Sequence, residues 1–182
     1  MRIITGKLKG RNIPIPKTDQ LRPTSDRTKE GMFSVIAARR YFDDTEILDL
    51  FAGSGNLGFE AISRGSRHVT FVDNISQHID HINKLAETFD VSDQVTTVVS
   101  DIESFLGNRS KKYDLIFADP PYDYFHMEQM VEIILSNNWL NSDGWFILEH
   151  DKRHDFRDHK NCVFSKPYGR TVVAIFTESS EF

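Results

Sequence analysis

The run Gly53-Ser54-Gly55-Asn56-Leu57-Gly58 matches the pattern GxGxxG. Between a strand and a helix, such a loop lets the backbone turn tightly and approach a ligand, because glycine reaches positive φ at no steric cost. Asp73 follows Gly53 by 20 residues. At that spacing an acid at the tip of the next strand can accept from both hydroxyls of a ribose. Asp49 precedes Gly53 by four residues and would sit close beneath the loop. Further on, Asp119-Pro120-Pro121-Tyr122 ends an apolar run. Two successive prolines stiffen the backbone and remove two donors, so their carbonyls can only accept. An ionised Asp119 is likewise acceptor-only. A corner of this kind suits a group with two donors, such as the exocyclic NH₂ of a nucleobase. Tyr122 would add a flat face on which a flipped base stacks, worth about 1–3 kcal/mol.

Two ligands compete for the glycine loop. NAD would rest its pyrophosphate on the helix N-terminus. S-adenosylmethionine has no phosphate but carries an ammonium and a sulfonium. A buried carboxylate at Asp49 is unfavourable beside pyrophosphate and favourable beside a cation. A dehydrogenase also needs a substrate domain, for which 182 residues leave no space. Phe51, Ala52, Gly53, Ser54, Gly55 and Gly58 would surround the cofactor with Asp49, and Asp73 and Asn74 would meet its ribose. Asp101, followed by Ile102, can accept from an adenine amine or cap the helix after it, and both can hold at once.

The elements that must hold these residues follow from periodicity. Residues 2–16 alternate around Gly6 and Gly10 and read as a β-hairpin, with Pro14 and Pro16 closing its second strand at an edge. A linker at 17–24 leads to a helix to about Arg40, capped by Ser25 or Asp26, with Phe33, Ile36 and Ala37 facing inward. Gly31 inside it costs about 1 kcal/mol relative to Ala. From Glu46 a strand-turn-helix pattern repeats, with strands near 47–51, 69–73, 95–99, 115–118 and 144–148. Helices lie between them, one capped by Ser76 with Ile79, Ile82, Ala86 and Phe89 on one face. Two strands near 162–165 and 171–176 end the chain. The expectation is one domain at 1–182. It comprises a basic arm and linker (1–24), a helix (25–40) and a Rossmann-like α/β core (46–182) with a mostly parallel seven-stranded sheet.

The net charge is −5, unevenly divided: residues 1–40 carry +7 and residues 41–182 carry −12. A basic arm on an acidic body is expected where one face meets polyphosphate. Lys7, Lys9, Arg11, Lys17, Arg27 and Lys29 are the phosphate-contact candidates. One cysteine, Cys162, excludes an internal disulfide. No run of about 18 apolar residues exists, and the start lacks the apolar stretch of a signal peptide. A cytoplasmic protein is expected, and a monomer, because no amphipathic stretch is left over. The pairs His78/His81 and His150/His154, with His159, form no recognised zinc pattern and are expected at the surface without metal. Cys162 follows Asn161 rather than proline, which disfavours a pyrimidine carbon-5 nucleophile, and no GxSxG elbow points to a hydrolase.

The set 49–55, Asp73, Asp101 and 119–122 resembles class I S-adenosylmethionine-dependent amino-methyltransferases. Leu21-Arg22-Pro23-Thr24-Ser25-Asp26-Arg27-Thr28-Lys29-Glu30, the opening Arg2-Ile3-Ile4-x-Gly6 with Lys9-Gly10-Arg11, and the late Tyr168-Gly169-Arg170-Thr171 are similar to the RsmD-type family. That resemblance implies methylation of the 2-amino group of a guanine in 16S ribosomal RNA, on the small subunit or an assembly intermediate. It also implies S-adenosylmethionine as cofactor, and places Arg22, Thr24 and Asp26 near the cofactor or target entrance. The alternatives are an adenine amino-methyltransferase acting on RNA or DNA, a non-catalytic RNA-binding assembly factor, and an NAD oxidoreductase.

Overall fold

Apolar runs flanked by helices become strands covered on both faces. The computed structural model describes residues 1–16, 26–108 and 111–179. The linker at 17–24, the Ser25 cap and the candidates Lys17, Arg22 and Thr24 lie outside these residues. In chain order the elements are α1 (Asp26–Ala37), β1 (Glu46–Leu50), α2 (Asn56–Ser63), β2 (His68–Asp73), α3 (Ser76–Thr88), β3 (Val95–Val99), α4 (Ile102–Gly107), β4 (Tyr113–Ala118), α5 (Met127–Ser136), β5 (Leu140–Asp151), β6 (Cys162–Tyr168) and β7 (Thr171–Thr177). The seven strands form one sheet in the order β3-β2-β1-β4-β5-β7-β6. The first five run parallel, and β7 enters antiparallel between β5 and β6. This is the Rossmann-like, mostly parallel seven-stranded architecture expected above. Pro167, expected in the final connection, lies within β6, the outermost strand, where its missing donor costs no ladder bond.

Successive strand residues face opposite ways, so two cores form. Ile47, Leu115, Phe117 and Ile147 pack with α1, α2 and α3 on one face. Leu48, Leu50, Ile116 and Phe146 pack with α4 and α5 on the other. Ile79, Ile82, Ala86 and Phe89 are buried as one face. Two details differ from expectation. Ile75, not Ser76, occupies the N-cap of α3 and makes no side-chain cap bond. Ala37 is exposed at the end of α1, while Thr28, Lys29 and Met32 are buried instead.

The N-terminal segment folds back as expected, and it is bound to α2 as well as to itself. Among the described residues it makes one bridge, Arg2 to Asn12, supported by Ile3 N to Arg11 O at 3.0 Å and Ile13 N to Met1 O at 2.8 Å. Glu60 accepts from the amides of Ile4 (2.8 Å) and Thr5 (3.1 Å). Ser63 accepts from Lys7 N and Leu8 N. Gly6 turns at φ +89°, and a Cβ there would stand 1.7 Å from the Ser63 carbonyl oxygen. Lys29 and Glu60, both fully buried, pair at 3.2 Å. Removing one partner of such a pair costs about 3–5 kcal/mol, because the other charge is left uncompensated.

Gly31 has a packing reason that the sequence does not display. A Cβ there would lie 2.2 Å from the Tyr168 ring, which reaches α1 from the end of β6. On helix propensity alone Gly31→Ala would stabilise by about 1 kcal/mol. With the ring in place it is expected to destabilise by about 1–3 kcal/mol. Truncating the ring (Tyr168→Ala) should remove that penalty in a denaturant titration of the double variant. A midpoint raised by Gly31→Ala alone would show that the ring yields freely.

Candidate functional site

Strand order reverses between β1 and β4, so the connections leaving these two neighbours run to opposite faces of the sheet. A crevice must open between their carboxyl ends. Leu50 pairs with Ala118, which sets the glycine loop and the Asp119 turn across that crevice from one another. A cavity of about 550 Å³ lies there, lined from β1 and its loop by Asp49, Phe51, Ala52, Gly53, Ser54 and Asn56. Asp73, Asn74, Ile75 and His78 contribute after β2, and Asp101, Ile102 and Glu103 after β3. Residues 119–126 complete the wall after β4. The volume is ordinary for a small-molecule pocket.

Three of the loop's amides are engaged within the protein. Ala52 N donates to Val72 O at 3.0 Å, Gly55 N to Ala52 O at 2.8 Å, and Gly53 N to Asp73 Oδ2 at 2.8 Å. Asp73 Oδ1 accepts from Ile75 N at 2.9 Å and faces His78 Nδ1 at 3.1 Å. The acid expected to meet a ribose therefore also holds the loop, with carboxylate lone pairs to spare for further donors. Phe51 stands at φ 57°, a left-handed conformation costing a non-glycine residue about 1–3 kcal/mol. Its ring packs edge-on against Tyr124 with centroids 4.9 Å apart, joining the glycine loop to the segment after the Asp119 turn.

The cavity is electronegative. Asp49 is 2 % exposed and accepts from Gly58 N at 2.9 Å. Burial pushes its carboxyl well above the usual range, the Gly58 amide opposes this, and Asp119 and Asp73 push it higher. Six carboxylates line the cavity, counting Asp101, Glu103 and Asp123 with these three; no Lys or Arg does so among the described residues, although Met1, which bears the N-terminal ammonium, does. Such a site attracts a cation and repels polyphosphate. Asp101 caps α4, its Oδ1 accepting from Ser104 N at 2.8 Å. That hydrogen bond holds its carboxyl below the ordinary value. Partial burial and the facing Glu103 push the half-buried Tyr124 hydroxyl far upward.

Several candidates fall elsewhere. Gly55 and Gly58 do not line the cavity. Gly55 makes the left-handed turn against Phe59, and Gly58 lets α2 approach β2, where a Cβ would come 2.2 Å from Phe71. Lys29 cannot meet phosphate, because its ammonium is buried among Glu60, Asn56 Oδ1 and Arg2 O. Lys7, Lys9, Arg11 and Arg27 are exposed. Lys7, however, sits at the end of α2 far from the glycine loop, its amine donating to Gln94. The histidines are not simple surface residues. His78 and His150 are buried, while His154 and His159 bond Glu128 and Glu132 of α5. Cys162 lies at the start of β6, outside the cavity wall. Sequence reasoning missed His78, Tyr124 and Phe125. The signals were present: an imidazole five residues after Asp73, and two aromatic residues directly following Tyr122-Asp123.

The model of the family described as "Conserved hypothetical protein 95" matches residues 1–177. The chain belongs to that family. It is 35% identical over 177 residues to the ribosomal RNA small subunit methyltransferase D of Haemophilus influenzae, covering 96% of this chain and 91% of that protein. To the protein of the same name from Escherichia coli it is 33% identical over 154 residues, covering 83% and 75%. A solved Escherichia coli structure, yhhF, superposes with a TM-score of 0.84 at 28% identity, covering 97% of this chain and 96% of that one. The RsmD-type resemblance read from the motifs is thus borne out as a family assignment.

Asp49 binds its proton more tightly folded than unfolded, since its folded pKa lies above the ordinary 3.8. The native state therefore holds more protons, and Asp49's contribution is complete below about pH 4 and is lost as pH rises through the raised value. Asp49→Asn should flatten this fall, measured as the urea midpoint from pH 4 to 8. An unaltered slope would mean that Asp49 ionises normally.

Proposed function

We propose that the protein transfers the methyl group of S-adenosylmethionine to the exocyclic 2-amino group of a guanine in 16S ribosomal RNA, within the small subunit or an assembly intermediate. One observation carries this: a cavity without cationic side chains among its described residues, walled by carboxylates, is closed on one side by the donor-poor corner 119–122. The names of the relatives at 33–35% identity support the ribosomal RNA part. The chemistry of the corner supports the amine. An NAD reading is disfavoured by the carboxylates that wall the cavity and by the engagement of the Ala52, Gly53 and Gly55 amides within the protein.

The residues present suit this cofactor. Asp49 and the neighbouring carboxylates would balance its ammonium and sulfonium, Asp73 would accept from the ribose, and Asp101 from the adenine amine. When bound, it supplies an already electrophilic methyl group. The protein has to supply a nucleophile and its alignment. The guanine amine is weakly nucleophilic because its lone pair is delocalised into the ring. Asp119 and the Pro120 carbonyl would accept its two hydrogens, favouring a more tetrahedral nitrogen and stabilising the positive charge that develops there. Tyr122, 44% exposed, would stack on the flipped base, with Phe125, 87% exposed, as a further apolar face at the mouth. Holding amine and methyl in line can contribute about 7–11 kcal/mol of the barrier.

Asp119→Ala should abolish methyl transfer while leaving calorimetric cofactor binding nearly unchanged. Retained turnover would remove Asp119 from the chemistry. Labelled transfer to small-subunit RNA, followed by nucleoside mass analysis, should yield N2-methylguanosine. Methyladenosine would redirect the assignment to adenine. Affinity for RNA should fall steeply with added salt if Lys9, Arg11 and Arg27 meet phosphates, whereas a flat response would reject them.

A further inference from the structure

The turn 119–122 has to be held still, yet its prolines leave it few means of holding itself. Within the loop, Tyr124 N donates to Pro121 O at 3.0 Å. A further anchor comes from the neighbouring strand. β5 lies beside β4 with Leu148 opposite Ala118, and it continues three residues further, to Asp151. The chain beyond it therefore runs past the turn. There the Arg153 guanidinium donates through Nη2 to the carbonyl of Tyr122.

Arg153 does not reach across as a loose side chain. Its backbone N donates to Asp151 Oδ1 at 2.8 Å and its Nε to Asp151 Oδ2 at 2.8 Å, with Nη2 on the same oxygen. A planar guanidinium gripped this way has its remaining donors aimed by geometry rather than by chance. Asp123, beside Tyr122, adds a second carboxylate within electrostatic reach. The Arg153 side chain is 66% exposed, whereas the Asp151 side chain that aims it is only 10% exposed. With the guanidinium itself largely in solvent, the pair is screened and adds little to global stability, and a fold-holding role does not account for the contact to the Tyr122 carbonyl.

We propose that Arg153, aimed by Asp151, is a positioning residue that clamps the Tyr122 carbonyl and so fixes the acceptor corner and the stacking ring against the target base. This rests on the reading of 119–122 as the amine-binding corner. It places control of the reacting geometry in the β5–β6 connection, in a residue that lies outside the cavity wall. The competing role for an exposed arginine beside an RNA-binding mouth is direct contact with a phosphate, and the two make opposite demands on Asp151. A phosphate contact needs only the positive charge. A clamp needs the carboxylate that orients it.

The test uses the full chain with Arg153→Ala, Arg153→Lys, Asp151→Asn and the Arg153→Ala/Asp151→Asn double variant. Melting temperature and calorimetric cofactor affinity should stay as in the unaltered protein. The kcat for methyl transfer to small-subunit RNA should fall about tenfold to a hundredfold in every single variant, the scale of losing alignment at a reacting centre. Lysine should not rescue, because a point charge cannot hold Asp151 and the carbonyl together. The double variant should be no worse than Arg153→Ala, since both changes break one unit. A normal kcat in Asp151→Asn, with only the RNA KM raised in Arg153→Ala and restored in Arg153→Lys, would overturn the clamp in favour of a phosphate contact. Hydrogen exchange at the Tyr124 amide gives an answer independent of substrate. It should quicken in Arg153→Ala and Asp151→Asn, and an unchanged rate would overturn the clamp. If the unaltered protein methylates no RNA, the proposed function fails while this exchange measurement still decides the clamp.

Discussion

The pairing of β1 with β4 underlies everything at the site. Two parallel strands lying side by side deliver their following loops to one edge of the sheet, and the reversal of strand order sends the connecting chains to opposite faces. The crevice between them is therefore a consequence of topology, not of any particular side chain. The register Leu50 to Ala118 then decides what faces what: a glycine loop on one side and an acceptor-only corner on the other. The side chains named above differentiate a place that backbone hydrogen bonding has already created.

Charge follows from how that place is walled. The glycine loop is commonly read as a cradle for anions, since glycine-rich turns expose amides at a helix N-terminus. Here the amides of Ala52, Gly53 and Gly55 are engaged by the protein, and Asp49 lies buried beneath. The same backbone shape thus becomes a lining for a cation. Asp73 links the two walls, because the carboxylate proposed to meet a ribose also ties down Gly53. Phe51, strained and packed edge-on against Tyr124, carries that rigidity across to the opposite wall.

The opposite end of α2 shows how composition can mislead. The basic excess of residues 1–40 is real, but its members do different things. Lys29 neutralises Glu60 in the core, where an unpaired carboxylate would be costly. Lys7 is drawn to Gln94 beyond the end of α2. Charge counting treats these as one patch, whereas burial and hydrogen bonding separate a structural cation from exposed ones.

Much was legible from residues alone because it depends on local rules. Period-2 and period-3.6 patterns placed all seven strands and the main helices. The spacing from Gly53 to Asp73 and the two prolines after Asp119 identified the residues that meet in the cavity. These are properties of neighbours in the chain. What only the folded structure decided depends on residues far apart in sequence. Gly31 is a glycine because Tyr168 lies against it, and Gly58 serves helix–sheet contact rather than a ligand. β7 inserts between β5 and β6, and Arg153 reaches the carbonyl of Tyr122. None of these contacts leaves a periodicity or a motif, since each arises only when distant segments are packed to the same point in space.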